Sequence, residues 1–291
     1  MVSRRTVLAG SASFAALGSC KKDLAPAPPD PERSKRVLQR LEPWRKKHAR
    51  PAWRPVLRRA QGELLGSRIG GTPWLETGEE WPACGACKHP LQLFLQLQTA
   101  ALPEELRDRH GDGLIQLFYC VNDACKARNY EAFSEAHRVR LVAPGNDGRR
   151  GAPPPGLNPF PERPIESWSR LTDAPHPEEL EGLGLKVDYD FQAKTTRVRC
   201  PELSLDEAGL PYAIVEKLGG ECLGGDKLAG WPRWVQGAEY PSCPKCKQTM
   251  QLVFQLDSEQ GLPFMFGDVG TGHVTQCAQH SDVLAFAWAC S

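Results

Sequence analysis

The chain has no apolar run able to cross a bilayer as a helix. Its apolar stretch from Thr6 to Ser19 has 14 residues, where a span needs about 20, and no later stretch qualifies. It also lacks a Gly-x-Ser-x-Gly elbow, a His-Glu-x-x-His helix and a phosphate-cradling Gly-x-x-x-x-Gly-Lys-Ser/Thr loop, so the usual hydrolase, zinc-peptidase and nucleotide signatures are missing. Net charge is nearly absent too, at +1 over 291 residues. That balance hides a split. Arg33 to Arg59 holds eleven Lys or Arg against the single acid Glu42, a net +10, which leaves residues 60 to 291 at about −10.

What the start of the chain does contain is a twin arginine, Arg4-Arg5, before the apolar stretch, and Leu17-Gly18-Ser19-Cys20 after it. This pattern predicts a twin-arginine export signal over residues 1–20 with a lipoprotein cleavage site, Cys20 becoming the lipidated first residue. One lipid chain anchors weakly, so a second attachment is needed. A Pro-rich tether and basic helical neck over 21–59 could supply it, each basic residue near anionic headgroups contributing about 1 kcal/mol. Alternatively the neck is a solvated helix held off the membrane by the tether. The segment has no nucleic-acid-binding motif, and no nucleic-acid partner is expected.

The most informative feature is a repeat. Residues 67–97 align without a gap on 226–256 at an offset of 159, with twelve identities in 31 positions, among them Cys84/Cys243, Cys87/Cys246, Gln92/Gln251 and Gln96/Gln255. Each Cys-x-x-Cys has a later partner pair: Cys120-x4-Cys125 in the first half and Cys277-x-x-His280 in the second. Thiolate and imidazole in fours are what structural zinc prefers, and a site filled by four protein ligands leaves no place for a catalytic water. The expected ligands are therefore Cys84, Cys87, Cys120 and Cys125, then Cys243, Cys246, Cys277 and His280, with Cys290 as an alternative to His280. Disulfides between the pairs and redox-active Cys-x-x-Cys are the competing readings. Export of an already folded chain would let zinc load in the reducing cytosol. Cys200, Cys222 and Cys290 are spare.

Leu91, Leu93, Leu95 and Leu97 alternate with Gln92, Phe94 and Gln96, and Met250 to Leu256 repeats the pattern. Period two predicts strands with one apolar face. Leu114–Cys120, His273–Cys277 and Val283–Ala289 are further expected strands, and helices are expected at Pro31–Leu41, Pro103–Arg109 and Pro177–Leu183, each opened by a proline. Seven prolines and four glycines between Pro144 and Pro164 mark a linker or long surface crossing. The expected fold is a β-rich α+β protein with internal pseudo-symmetry, a first repeat over 60–143, a linker over 144–164 and a second repeat over 165–291.

Ser67 to Leu75, the Cys84 pair, Leu91 to Leu97 and Leu117-Phe118-Tyr119-Cys120 resemble the YwqG-like bacterial domains of unknown function. Lys227 to Trp234, Gln251 to Leu256 and Phe266 to Gly272 extend the resemblance to the second half. It implies a duplicated scaffold with two zinc-knuckle-type sites and no assigned activity. The first half is also similar to the programmed cell death protein 2 family, in its Gly70-Gly71-Thr72-Pro73-Trp74 opening, paired cysteines and following apolar strand. That similarity implies a zinc-supported binder of other proteins.

Trp74, Trp81, Trp231 and Trp234 sit at the openings of the two modules and either line a recognition groove or cover the sheet. Asp268 and His273, beside the one glycine-rich loop, are the only candidate acid–base pair; the simpler reading is a turn and a structural histidine. The expected function is a non-catalytic, zinc-stabilised, lipid-anchored protein of the cell envelope, periplasmic or on the outer surface, whose partner is a protein or peptide. Alternatives are an envelope enzyme working near Asp268/His273 and a toxin-neutralising immunity protein.

Overall fold

The computed structural model describes residues 30–291. The expected signal, the lipidation site Cys20 and nearly all of the tether fall outside the described residues. No helix among the described residues is long and apolar enough to cross a membrane.

The basic segment starts as two helices, α1 (Pro31–Arg40) and α2 (Glu42–His48). Asp30 caps α1, its Oδ1 accepting from Glu32 N at 2.9 Å, and proline opens the first turn of each, where its missing N–H costs nothing. The helices do not stand free. Val37, Leu41 and Trp44 are buried against Leu180, Leu185, Val198, Leu210 and Leu218. These belong to a small unit of strands β9 (Lys186–Asp190), β10 (Thr195–Cys200) and β11 (Leu205–Pro211) with helix α3 (Val215–Leu218). Arg33 and Arg40 both reach Glu207, at 3.0 and 3.1 Å, and Lys47 reaches Glu202 at 2.8 Å. The Arg45 guanidinium donates to the Leu218 and Lys217 carbonyls. Much of the positive charge expected to face headgroups or water is thus met within the chain.

The neck is not helical throughout. Residues 50–57 form strand β1 (Arg50–Leu57), because Pro51 and Pro55 bar a helix and Ala52 and Trp53 are buried. Strand β8 (Arg163–Asp173) runs along the whole of β1, whereas β12 (Lys227–Ala229) pairs only with Ala52 and Trp53. The prolines therefore lie beside these two positions or beyond them, where a missing donor is tolerated.

These three strands belong to a ten-stranded antiparallel sheet. Its others are β2 (Arg68–Ile69), β4 (Gln92–Gln98), β5 (Leu114–Tyr119), β6 (His137–Val142), β13 (Gln251–Asp257), β14 (Thr271–Gln276) and β15 (Leu284–Ala289). The order is β15-β14-β13-β12-β1-β8-β2-β4-β5-β6. It reads symmetrically outward from the β1–β8 pair, and the edge strands β15 and β6 lie against each other, so the sheet is nearly a closed barrel. Its interior takes Phe94, Leu97 and Tyr119 from one half and Phe254, Phe266 and Phe286 from the other; the two expected halves share one core. Of the linker region, Arg149–Arg150 forms a short strand, β7, against β3 (Trp74–Leu75), and the following residues cross over β4.

The expected single apolar face of β4 is corrected by a bulge between Leu93 and Leu95. A bulge places an extra residue in one strand, so the side chains change face along it. Leu91 and Leu93 pack beside the cysteines, while Phe94, Leu95 and Leu97 enter the barrel. β13 bulges at the same place, between Leu252 and Phe254, and sends Val253, Phe254 and Leu256 inward. The helices expected at Pro103–Arg109 and Pro177–Leu183 contract to single 3-10 turns at Glu104–Leu106 and Pro177–Glu179. Asp108 and Gly184, at positive φ of 65° and 85°, turn the chain left-handed at the ends of these segments, which stops a helix.

Candidate metal centres

Each Cys-x-x-Cys lies in a tight hairpin closed by backbone bonds. In the first, Cys84 N donates to His89 O at 2.8 Å, Lys88 N to Cys84 O at 3.0 Å and Leu91 N to Pro82 O at 2.9 Å. In the second, Cys243 N donates to Gln248 O, Lys247 N to Cys243 O and Met250 N to Pro241 O, at 2.8, 2.8 and 2.9 Å. Lys88 and Lys247 carry the turn at positive φ, 61° and 63°. An isolated bridge closes each hairpin, Ala83 with Pro90 and Ser242 with Thr249. These turns aim both thiols of each pair to one side.

The second ligand pair comes from the end of the strand next door. Cys120 follows β5, its N–H bonded to Ala136 O at 2.8 Å, and Cys125 lies in the next turn. Cys277 follows β14, its N–H bonded to Val283 O at 3.0 Å, and His280 lies in the turn to β15. In each cluster the four ligand atoms lie within 4.8 Å of one another. The Cys84–Cys125 and Cys87–Cys120 sulfurs are 3.8 and 3.6 Å apart. In the second cluster Cys246 Sγ is 3.5 Å from Cys277 Sγ, and His280 Nδ1 is 3.8 and 3.6 Å from the sulfurs of Cys243 and Cys277. Ligands at metal–sulfur and metal–nitrogen lengths of about 2.3 and 2.0 Å form tetrahedra with edges of about 3.5–3.8 Å. The donor sets and spacings fit a tetrahedral metal, so both clusters could hold metal ions.

One thiol of each cluster is drawn toward the thiolate, while Cys120, Cys125 and Cys246 are shifted the other way. The N–H of His89, aided by the Asn122 amide and the neighbouring thiols, draws Cys87 down to about 6, while burial pushes Cys120 up. Burial opposes ionisation of Cys243, but the N–H groups of Cys246 and Lys245 and the adjacent thiols bring it down to about 6. A cation at the centre would favour the charged form of every thiol in the set.

The second cluster contains His280 and not the alternative Cys290. His280 lies in the turn before β15 and Cys290 follows its other end, packed beside Gly267. The other two spare thiols lie elsewhere, Cys200 in the core of the small unit and Cys222 beside Pro232 O; all three are free.

The remaining candidates are placed as follows. His273 is buried beside Trp234, 4.9 Å between ring centroids, and burial lowers it to about 3. Asp268 is exposed on a turn, and no hydrogen bond or ion pair joins the two among the described residues. The tryptophans are largely packed. Trp74, Trp231 and Trp234 are buried and Trp81 half-buried. Trp81 Nε1 donates to Leu91 O, Trp231 Nε1 to His48 O and Trp234 Nε1 to Glu179 Oε1. Of these four, Trp231 lines a cleft.

Sequence reasoning did not anticipate the buried ion pairs made from β2 and β12. Lys227 Nζ meets Asp173 at 2.8 Å with both side chains fully buried, and Arg68, at the same offset, lies 3.7 Å from Glu162. Burial lowers Arg68 to about 10. A charged residue at both 68 and 227, in otherwise apolar strands, was the available signal.

The fold and the clusters together define a β-rich, nearly closed barrel carrying two four-ligand, metal-type hairpins. Residues 67–286 match the family described as Domain of unknown function (DUF1963), and the chain belongs to that family. Over 33 residues it is also 52% identical to Uncharacterized protein YpfL of Salmonella typhimurium, a match covering 11% of this chain and 8% of that protein.

Proposed function

We propose that the chain is a zinc-stabilised scaffold of the cell envelope, lipid-anchored through Cys20, that binds another protein or peptide. The observation that carries this reading is the closure of both clusters by four protein ligands. A metal so enclosed has no open position for a water or substrate, so its work is to hold two hairpins on the barrel. Zinc is the metal of choice for a set of four thiolates or of three thiolates and an imidazole, with no redox chemistry to disturb them.

In this reading the scaffold arose by internal duplication of a YwqG-like module. The twelve identities, the palindromic strand order and the matching hairpin bonds support it. So do two buried glutamines. Gln96 Oε1 accepts from Trp74 N and Gln255 Oε1 from Arg233 N, and their Nε2 atoms donate to Gly66 O and Gly225 O. Every residue in the second set lies 159 beyond its counterpart.

The test is affinity capture of the lipidated full chain from its own membranes, with a Cys84→Ser/Cys243→Ser variant in parallel. A specific protein or peptide should be enriched with the intact chain and lost with the variant. Repeated failure to enrich any partner, or recovery of the chain in the soluble fraction without lipid, would contradict the reading.

A further inference from the structure

The two halves treat one glutamine differently. Gln92, on β4, lies under the extended segment that leads into β8: its Nε2 donates to Asn158 O at 2.8 Å and its Oε1 accepts from Phe160 N at 3.3 Å. Gly71 N adds a bond to Phe160 O at 2.9 Å. A stretch of extended chain is thus held across the first hairpin's strand by its backbone. At the same offset on β13, Gln251 is exposed, and among the described residues its side chain makes no hydrogen bond. It lines a cleft of about 570 Å³ with Trp231, Met250 and Leu252.

The reason for the opening is the chain before β1. Where the first half has an extended segment, the second has helix α2, which ends at His48 and packs toward the small unit. Of its backbone, the His48 carbonyl is bonded here, accepting from Trp231 Nε1 at 2.9 Å. The rim is basic. The Arg50 guanidinium lies 3.3 Å over the Trp231 ring. Arg109, also lining the cleft, is exposed, and its side chain has no ion pair or hydrogen bond among the described residues. The acid present, Glu179, accepts from Trp234 Nε1 and Tyr240 Oη at 2.5 and 2.8 Å and faces Arg50, so Arg109 is the cation of the rim without a partner among the described residues.

We infer that this cleft docks an extended peptide segment bearing a carboxylate. Gln251 takes the peptide backbone as Gln92 takes that of Asn158 and Phe160, since a primary amide offers a donor and an acceptor together. Arg109 takes the acid, a charge-assisted contact that guanidinium makes well, and Arg50 over Trp231 adds to the positive rim. The inference rests on the protein-binding reading and gives it a place and a ligand chemistry.

The probe is a fluorescein-labelled, C-terminally amidated nonapeptide copying residues 154–162, which carries the segment held by Gln92 and has the Glu162 side chain as the peptide's one carboxylate. Titrated by anisotropy against the full chain, it should bind saturably. Gln251→Ala and Arg109→Ala should each weaken it about tenfold, as should the Glu162→Gln form of the peptide, the usual scale for losing a pair of neutral hydrogen bonds or one to a charged group. Both positions are exposed, and unchanged circular dichroism melts would verify that the variants fold. Absence of saturable binding up to millimolar peptide, or binding indifferent to all three changes, overturns the inference. If membrane capture enriches a partner and the Gln251→Ala/Arg109→Ala variant retains it, the cleft assignment fails while the protein-binding reading stands. If the peptide binds as described and capture finds nothing, the reverse holds.

Discussion

Ser67 in the first half and Asp226 in the second do the same work: each accepts the backbone N–H that closes its strand, from Gln98 at 2.9 Å and from Asp257 at 2.8 Å. Their surroundings differ. The first half has four thiols, a glutamine covered by the chain's own backbone, and an arginine, Arg68, whose partner Glu162 also holds Arg150 at 2.7 Å. The second has three thiols and a histidine, an open cleft at Gln251, and a lysine alone with its aspartate. Across the two, backbone bonds and tetrahedral spacing are kept while charge and cover vary. The shared features make the frame, and the cover over the strand makes one half closed and the other open.

Breaking a ligand set should have the largest effect. Structural zinc contributes about 10–16 kcal/mol of apparent folding free energy in small peptides; a barrel with its own core should feel only part of that. Cys84→Ser and Cys243→Ser should each cost several kcal/mol by urea unfolding, and a chelator should remove the difference from wild type. Equal stability with and without chelator would show that the hairpins need no metal.

The buried ion pairs sharpen the comparison at the next scale. Lys227→Met leaves Asp173 buried without its cation and should cost about 3–5 kcal/mol. Arg68→Met should cost less, because Glu162 keeps Arg150. Equal losses in denaturant midpoint would contradict the asymmetry.

Those two cations mark the limit of what could be read from sequence. Ligand residues close in the chain declared themselves: Cys84, Cys87, Cys243 and Cys246 by spacing and repetition, and the strands after them by alternation. Residues whose role depends on a distant neighbour did not. Choosing His280 over Cys290 required knowing that the two lie at opposite ends of β15. The bulges at Phe94 and Val253 leave no trace in the alternation, because a leucine-rich strand looks the same in either register. The small unit was missed because β9 is mostly exposed, and the core it covers is completed by Val37, Leu41 and Trp44 from far earlier in the chain. The cleft at Gln251 was invisible because sequence shows a repeated glutamine and not what lies over it.

A pH titration separates the halves more finely. Burial raises Asp226 to about 6 from its ordinary 3.8, against the N–H bonds from Asp257 and Gly261. The folded chain then holds that proton more tightly than the unfolded chain, so this group favours folding below pH 4 and the benefit is lost as pH rises through 6. The swing is at most about 3 kcal/mol. Asp226→Ser, copying Ser67, should flatten the stability profile between pH 4 and 6, while Ser67→Ala should leave its slope alone; an unchanged slope in Asp226→Ser would refute the assignment. The smallest effect is expected at the shared frame. Gln96→Leu and Gln255→Leu each strand buried backbone groups and should cost about 1–3 kcal/mol by the same assay, with Gln96→Leu the larger because it also frees Gln116.

The most direct test is the metal count of the full chain by native mass spectrometry, beside inductively coupled plasma analysis. Two zinc ions per chain are expected, falling to one in Cys84→Ser, one in Cys243→Ser and none in the double variant. A chain that folds with no metal, or with cysteines oxidised in pairs, would contradict the account.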